Sequence, residues 1–324
     1  MIIDLVYLWV DGSDPNWITK KNEALQREGK PPIKKATKES RWLDNQELMY
    51  SLRSVEKFAP WINHIFIATD SQVPKWLDLN HPKITIIDHK QFIPNEFLPL
   101  FNSTAIEMFL WNIPGLSEHF LYANDDMLFG KEINPNFFFD ENENPIVIFK
   151  SRLYQSSRRL KRHWNSLQMV NKHYGIKFNI SQKHAIEPFR KSYMKETAAK
   201  FYNEVIIPNM TPFRTHQNYK RMLFPLIDSA LDRNTITLNW RVSKKRIVYN
   251  HKKDNILKSI LISLLWIFAS LFAFIKYDCY DRQKYILTFL KLYKPTLFCL
   301  NNVNIKERAN FLKSMFPEKS NYEL

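Results

Sequence analysis

An α/β fold with a mostly parallel sheet and helices on both faces is the architecture this sequence predicts, and three observations predict it. Short, nearly continuous apolar segments rich in β-branched residues recur at 2–10, 64–70, 84–88 and 120–126. Helix-like segments with capping or breaking residues lie between them, the alternation that gives parallel strands with crossover helices. Each apolar segment also runs into Asp at its carboxyl end. Beyond residue 150 the pattern becomes helical, with many basic and aromatic residues, so a mainly helical C-terminal region follows the α/β part.

The composition agrees with a packed chain. Of 324 residues, 45% are hydrophobic and 15% aromatic, and only five are Gly, which excludes disordered and collagen-like classes. Two cysteines, Cys279 and Cys299, cannot staple a chain of this size, so packing must hold it, as suits a reducing compartment. The N-terminus carries Asp4 where a signal peptide needs Lys or Arg, so no secretion is expected. The Asn-x-Ser/Thr sites at Asn102, Asn179 and Asn209 are then chance matches. A net charge of +15 favours polyanionic partners: nucleic acid, anionic lipid or phosphorylated substrates. The densest basic run, Lys150, Arg152, Arg158, Arg159, Lys161, Arg162 and His163 before Trp164, reads as a phosphate- or lipid-facing strip or as a solvated connection. No helix-turn-helix, zinc-finger or RNP pattern is present, so no nucleic-acid partner is expected.

The elements follow in order. Residues 2–10 read as a buried strand that ends in a polar turn, Asp11-Gly-Ser-Asp-Pro15. A Lys-rich helix end and a loop broken by Pro31-Pro32 precede a helix whose start has capping-box spacing, Asp44 to Glu47, and whose apolar face is Leu48, Leu52, Val55 and Phe58 until Pro60. Strands at 64–70 and 84–88 flank a turn at Pro74; a helix opens at Thr104-x-x-Glu107 and closes at Pro114-Gly115; the strand at 120–126 comes next. Helices are expected at 165–174 and 196–205, with a loop broken by Pro188 between them. The apolar block 256–275 is close to the ~20 residues a membrane span needs but is interrupted by Lys258 and serines, so it reads as a helix buried in the protein or lying at a membrane surface. The tail from Phe298 reads as a strand or loop and then a short amphipathic helix.

Ligands bind at the carboxyl ends of strands in such sheets, and Asp11, Asp14, Asp70, Asp88, Asp125 and Asp126 all fall there. So many carboxylates on one edge of a basic protein call for a counter-ion, and a divalent metal is the natural candidate; each alone is an ordinary turn or cap residue. If strand alternation persists through Asn124-Asp-Asp126, Asn124 and Asp126 point to one side and Asp125 to the other.

Ile3-Asp-Leu-Val-Tyr-Leu-Trp-Val-Asp-Gly-Ser-Asp-Pro15 resembles the first signature segment of the Stealth family of sugar-1-phosphate transferases. Arg41-x-x-Asp-Asn-Gln-Glu-Leu-x-Tyr-Ser-Leu-Arg-Ser-Val-Glu-Lys-Phe-Ala-Pro-Trp61, continued by Phe101-Asn-Ser, Ala105-Ile-Glu107 and Leu121-Tyr-Ala-Asn-Asp-Asp-Met-Leu-Phe-Gly130, resembles the second. The loop around His184 is similar to the third, and the stretch from Phe298 onward to the fourth, except that Asn301-Asn302 stands where Asn-Asp is expected.

That resemblance implies a nucleotide-diphosphosugar transferase-like core at 1–150, a helical acceptor region with the catalytic His at 151–255, the apolar helix at 256–280 and a segment at 281–324 returning to the active site. It implies transfer of hexose-1-phosphate from a UDP-hexose or UDP-N-acetylhexosamine to a hydroxyl of an oligosaccharide or lipid-linked glycan, releasing UMP. The setting would be capsule or cell-surface polysaccharide synthesis at the cytoplasmic face of the plasma membrane. Mg²⁺ or Mn²⁺ would be held by Asp126 and Asn124, with Asp125 as supporting carboxylate or ligand. His184 would be the general base, since an imidazole titrates near cellular pH. Arg41, Arg190 and Arg214 would fork phosphate oxygens. Trp9, Asp11, Gly12 and Asp14 would shape the nucleotide pocket, Gly12 by letting backbone approach closely, and Asp44 and Asn45 join the substrate-binding set. The alternatives are a metal-dependent glycosyltransferase that releases UDP, and a non-enzymatic basic protein binding membrane surface or nucleic acid, which the carboxylate edge disfavours.

Overall fold

The computed structural model describes residues 1–29, 42–151, 161–176, 178, 180–239, 246–249, 287, 290–292, 294–300 and 305–324. The apolar block 256–275, Arg41 and the Asn301-Asn302 pair lie outside them.

Four parallel strands form the centre: β1 (Ile3–Leu8), β2 (Ile65–Thr69), β3 (Ile84–Asp88) and β4 (His119–Asn124), in the order β3-β2-β1-β4. All four therefore end at the same edge. The alternation within β1 shows why both faces are covered. Ile3, Leu5 and Tyr7 pack with Leu48, Leu52 and Val55 of helix α2 (Glu47–Phe58), whereas Val6 joins the apolar layer on the other face with Phe66, Phe120 and Tyr122. Asp4, 1% exposed in the middle of this layer, is satisfied by the Asn63 amide and the Ser117 backbone N–H, both at 2.8 Å.

Helix α1 (Pro15–Glu28) starts directly after the first polar turn, with Asp14 as its N-cap and Pro15 in the first position. The expected capping box at α2 does not form: the cap position is Gln46 in the left-handed region (φ 66°) with no side-chain cap bond, and Asp44 instead accepts the Gln46 N–H at 3.0 Å in a tight turn. Glu47 turns back to accept the Asn45 N–H at 2.6 Å. Helix α3 (Ser103–Ile106) begins one residue before the predicted start, capped by Asn102, and continues as a 3₁₀ segment to Asn112. Asn102 and Asn209 are fully buried and hydrogen-bonded within the fold.

After β4 the chain makes the short strand β5 (Met127–Phe129) and then β6 (Ile146–Ser151). The region beyond residue 150 is less purely helical than its pattern predicts. It holds helices α4 (Lys161–Tyr174), α5 (Lys191–Lys200), α6 (Ile207–Asn209), α7 (Leu223–Ala230) and α8 (Ile305–Met315), but also β7 (Ile180–Gln182), β8 (Glu187–Arg190), β9 (Thr235–Asn239), β10 (Arg246–Tyr249) and β11 (Leu297–Cys299). Strand β8 occupies the stretch read as a loop because of Pro188. Among the described residues it pairs only with β4, antiparallel, so it is an edge strand where a missing N–H is tolerated. A second sheet, β10-β9-β6-β7, packs its Val147, Phe149, Ile180 and Ile236 into the same core as Val6 and Phe120. Among the described residues no helix is long and apolar enough to cross a membrane.

Candidate active site at the carboxyl edge of the sheet

The parallel strands deliver the predicted aspartates to one edge, but most of them are already engaged there. Asp11 accepts from the N–H and hydroxyl of Ser13 at 2.9 and 2.6 Å, and Asp14 caps α1. Asp70 pairs with Lys20 at 2.8 Å, and Asp88 caps the turn at His89–Gln91. Gln72, a residue the sequence did not single out, stitches the first loop through the Asp11 backbone at 3.0 and 2.9 Å and the Asp14 carboxylate at 3.2 Å. Gly12 serves this loop as well: a Cβ there would lie 2.4 Å from the Trp42 carbonyl oxygen, which accepts the Gly12 N–H. The close backbone approach expected of Gly12 is thus to Trp42.

Asp125 and Asp126 are engaged more loosely: Asp125 Oδ1 accepts the adjacent Asp126 N–H at 3.0 Å, and Cys299 hydrogen-bonds the Asp126 carboxyl. Strand β4 ends at Asn124, so alternation does not carry through, and both acids feel the charge of Glu47 at the start of α2. Burial pushes the Asp125 carboxyl well above its usual range, reinforced by Asp126, Glu47 and Asp44. Burial likewise lifts Asp126 to about 6, against the pull of a Cys299 hydrogen bond and the Arg308 charge. Asp126 Oδ1 is buried without a hydrogen-bond partner. Asp44 is raised too, by burial first, with Gln46 and Trp9 pulling the other way and Glu47 and Asp11 adding to the rise. Trp9 itself is buried, 6% exposed, beneath this group.

Three further side chains complete the edge. Strand β8 runs antiparallel from Glu187, opposite Tyr122, to Arg190, opposite His119. The loop before it therefore hangs over the carboxyl end of β4, and His184 Nε2 comes to 3.9 Å from Asp126 Oδ1. The same register carries Arg190 to the far end of β4, ~16 Å of strand away at about 3.3 Å per residue. There Arg190 pairs with Glu118 at 3.0 Å and stacks on Tyr193, so it is not a phosphate fork of this edge. Cys299, on β11 opposite Met127 of β5, arrives beside Asp126, whose carbonyl accepts the Leu300 N–H at 3.0 Å. Arg308 of α8 reaches in to Glu47 at 2.7 Å. No spacing rule pointed to Cys299, Glu47 or Arg308 as site residues, because two of them come from over 170 residues away in the chain.

On the other side of β4 lies a polar cluster. Tyr122 Oη donates to Asn124 Oδ1 at 2.8 Å and contacts Glu107 at 3.2 Å, while Arg221 bridges Glu107 and Glu187 at 3.0 and 2.9 Å. Asn124 is thus tied to this cluster. Arg214 belongs to it as well, donating to the Ser103 hydroxyl.

Asp126, His184 and Cys299 each offer one ligand atom, all within 4.8 Å of one another. An unpartnered buried carboxylate oxygen among them fits a divalent ion. The carboxylates suit Mg²⁺ or Mn²⁺, whereas imidazole and thiol prefer softer ions.

The fold and this edge define an α/β protein with an acid-lined, metal-compatible centre at the carboxyl ends of its parallel strands. Residues 1–29 match Stealth protein conserved region 1 and residues 41–147 match conserved region 2. A capsular polysaccharide phosphotransferase of Actinobacillus pleuropneumoniae, cps1A, is 37% identical over 69% of this chain and 64% of its own length. The matched part thus spans less than two thirds of that relative. The capsular polysaccharide phosphotransferase eps5J of Streptococcus thermophilus is 33% identical over 67% of this chain and 89% of its own. The exopolysaccharide phosphotransferase cps2G of Lactiplantibacillus plantarum is 29% identical over 99% and 96%. The chain belongs to the Stealth family. A solved structure of the galactosyltransferase LgtC with donor and acceptor sugar analogues aligns at a TM-score of 0.34, with 12% identity over 72% of each chain.

Proposed function

We propose that this protein transfers hexose-1-phosphate from a UDP-hexose or UDP-N-acetylhexosamine to a hydroxyl of an oligosaccharide or lipid-linked glycan acceptor, in capsule or surface polysaccharide synthesis at the cytoplasmic membrane face. The observation that carries the reading is the half-buried Asp125-Asp126 pair with His184 3.9 Å from the unpartnered Asp126 oxygen. The names of the relatives, capsular and exopolysaccharide phosphotransferases, support the reaction class.

In this reading Asp126 and Asp125 hold Mg²⁺ or Mn²⁺, which when bound supplies positive charge against the donor diphosphate. His184 accepts the proton of the acceptor hydroxyl as its oxygen attacks phosphorus. Glu47 and Arg308, ion-paired at 2.7 Å, fix the wall behind the two acids. Trp9 and Asp44 lie against the same wall and bound the nucleotide side. Attack at phosphorus leaves UMP; attack at the anomeric carbon, as in an ordinary glycosyltransferase, leaves UDP.

The deciding experiment incubates the protein with candidate UDP-sugars, Mg²⁺ and a glycan primer and separates the nucleotides by anion exchange. UMP in step with a new phosphodiester is the expected product. Stoichiometric UDP would refute phosphotransfer.

A further inference from the structure

Beside the Asn124 end of β4, basic side chains outnumber acids inside the fold. Arg162 of α4 and Arg214, Lys220 and Arg221 of the segment before α7 sense one another's charge, and the carboxylates among them are Glu107 and Glu187. Both carboxylates are committed to Arg221, which holds Glu107 at 3.0 Å and Glu187 at 2.9 Å and is 2% exposed. Gln182 also donates twice to Glu187.

Among the described residues, no carboxylate forms an ion pair with Arg162, Arg214 or Lys220. Arg162 donates to the Thr104 hydroxyl at 3.2 Å and Arg214 to the neighbouring Ser103 hydroxyl, both neutral acceptors. The Arg214 Nε is buried with no partner at all. Arg162 is pulled down to about 10, by burial first and the Arg214 charge next against the pull of Glu107, and Lys220 to about 7, by burial first, with Glu107 opposing and Arg162, Arg214 and Arg221 adding to the fall. Each of the three nonetheless keeps part of its surface open.

The backbone that presents them is held rigidly. Ser166 of α4 accepts the Lys220 N–H at 2.8 Å, and Asn209 accepts the Tyr219 N–H at 2.6 Å. Asn218 accepts from Thr215 and from Asn102, tying the segment to the start of α3. Four cations share only two carboxylates here, Glu107 and Glu187, both ion-paired to Arg221, and an excess of partly buried positive charge is costly unless an anion offsets it.

We propose that Arg162, Arg214 and Lys220 form a subsite for a phosphoryl oxyanion, placed across Asn124 and Tyr122 from the Asp125-Asp126 pair. Only the identity of the natural anion rests on the phosphotransfer reading. It is either the donor's diphosphate or a phosphodiester already present in the acceptor, as a chain extended by such a reaction would carry.

Calorimetric titration of the full chain with inorganic pyrophosphate, in metal-free buffer containing EDTA at pH 6.5, tests the subsite apart from turnover and metal. Binding is expected, weakened roughly 10- to 100-fold in Lys220→Gln and in Arg162→Gln, the loss of one charge-assisted contact. Thermal melts of both variants should be no lower than wild type, because each removes a cation from a repelling group. No pyrophosphate binding by the wild type, or equal binding by both variants, would overturn the proposal. Steady-state kinetics then separates the sources: a raised KM for the UDP-sugar assigns the subsite to the donor, and a raised KM for a phosphodiester-bearing primer but not a neutral one assigns it to the acceptor. Pyrophosphate binding that depends on these residues without any UMP formation would leave the subsite standing and remove phosphotransfer.

Discussion

His184 Nε2 lies 3.9 Å from Asp126 Oδ1, although 58 positions separate them in the chain and each stands in a different loop. The contact exists because β8 enters the sheet antiparallel to β4, so the end of one strand and the approach to the other share an edge. An imidazole beside a half-buried acid pair can take a proton at one atom while the acids face a cation at others.

Asp126→Asn should abolish turnover and leave a folded protein. It removes one of two acids crowded in a half-buried site, so the metal-free variant should be more stable than wild type by about 1–3 kcal/mol at pH 7.5. Urea denaturation measures this, and a melt with added Mn²⁺ should show no stabilisation. A Mn²⁺-induced rise in Tm equal to that of wild type would place the ion elsewhere.

The raised carboxyl of Asp126, about 6, sets a pH dependence. Its protonated form is favoured in the folded state, so the stabilisation it gives is fully present below its unfolded value and is lost as pH rises through about 6. Metal binding runs the other way, since the ion needs the ionised form. Melting curves at pH 5 and pH 7.5 should therefore show little effect of Mn²⁺ at the lower pH and a clear rise at the higher. Equal shifts at both would show that Asp126 is not a ligand.

His184→Ala should lower kcat by roughly 10²-fold or more with little change in KM for the donor, the signature of lost proton transfer. Initial rates across donor concentrations make the split. A large rise in donor KM at unchanged kcat would make His184 a binding residue.

Gly12→Ala forces a methyl group against the Trp42 carbonyl, 2.4 Å from where its Cβ would sit. Overpacking of this kind costs about 1–3 kcal/mol, read as a lower urea midpoint. Unchanged stability with lost donor binding would return Gly12 to the nucleotide pocket.

The parallel core, the order of its strands' polar ends and the presence of an acid pair after 120–124 were legible in the sequence, because periodicity and turn chemistry are local. So was the family, carried by long runs rich in Trp, Asp and Gly. Which acids remain available was not legible: Asp14 and Asp88 are spent on caps and Asp70 on Lys20, and those partners are fixed by tertiary neighbours. Strand β8 hid behind Pro188, which reads as a breaker unless the strand is known to lie at an edge. Its register alone decided that His184 joins the acids while Arg190, six residues later, sits at the opposite end beside Glu118. Cys299 and Arg308 reached the site through β11 and α8, pairings between segments remote in the chain. Sequence determines what each segment prefers; which segments meet depends on the shared burial of all of them, and only the folded chain expresses it.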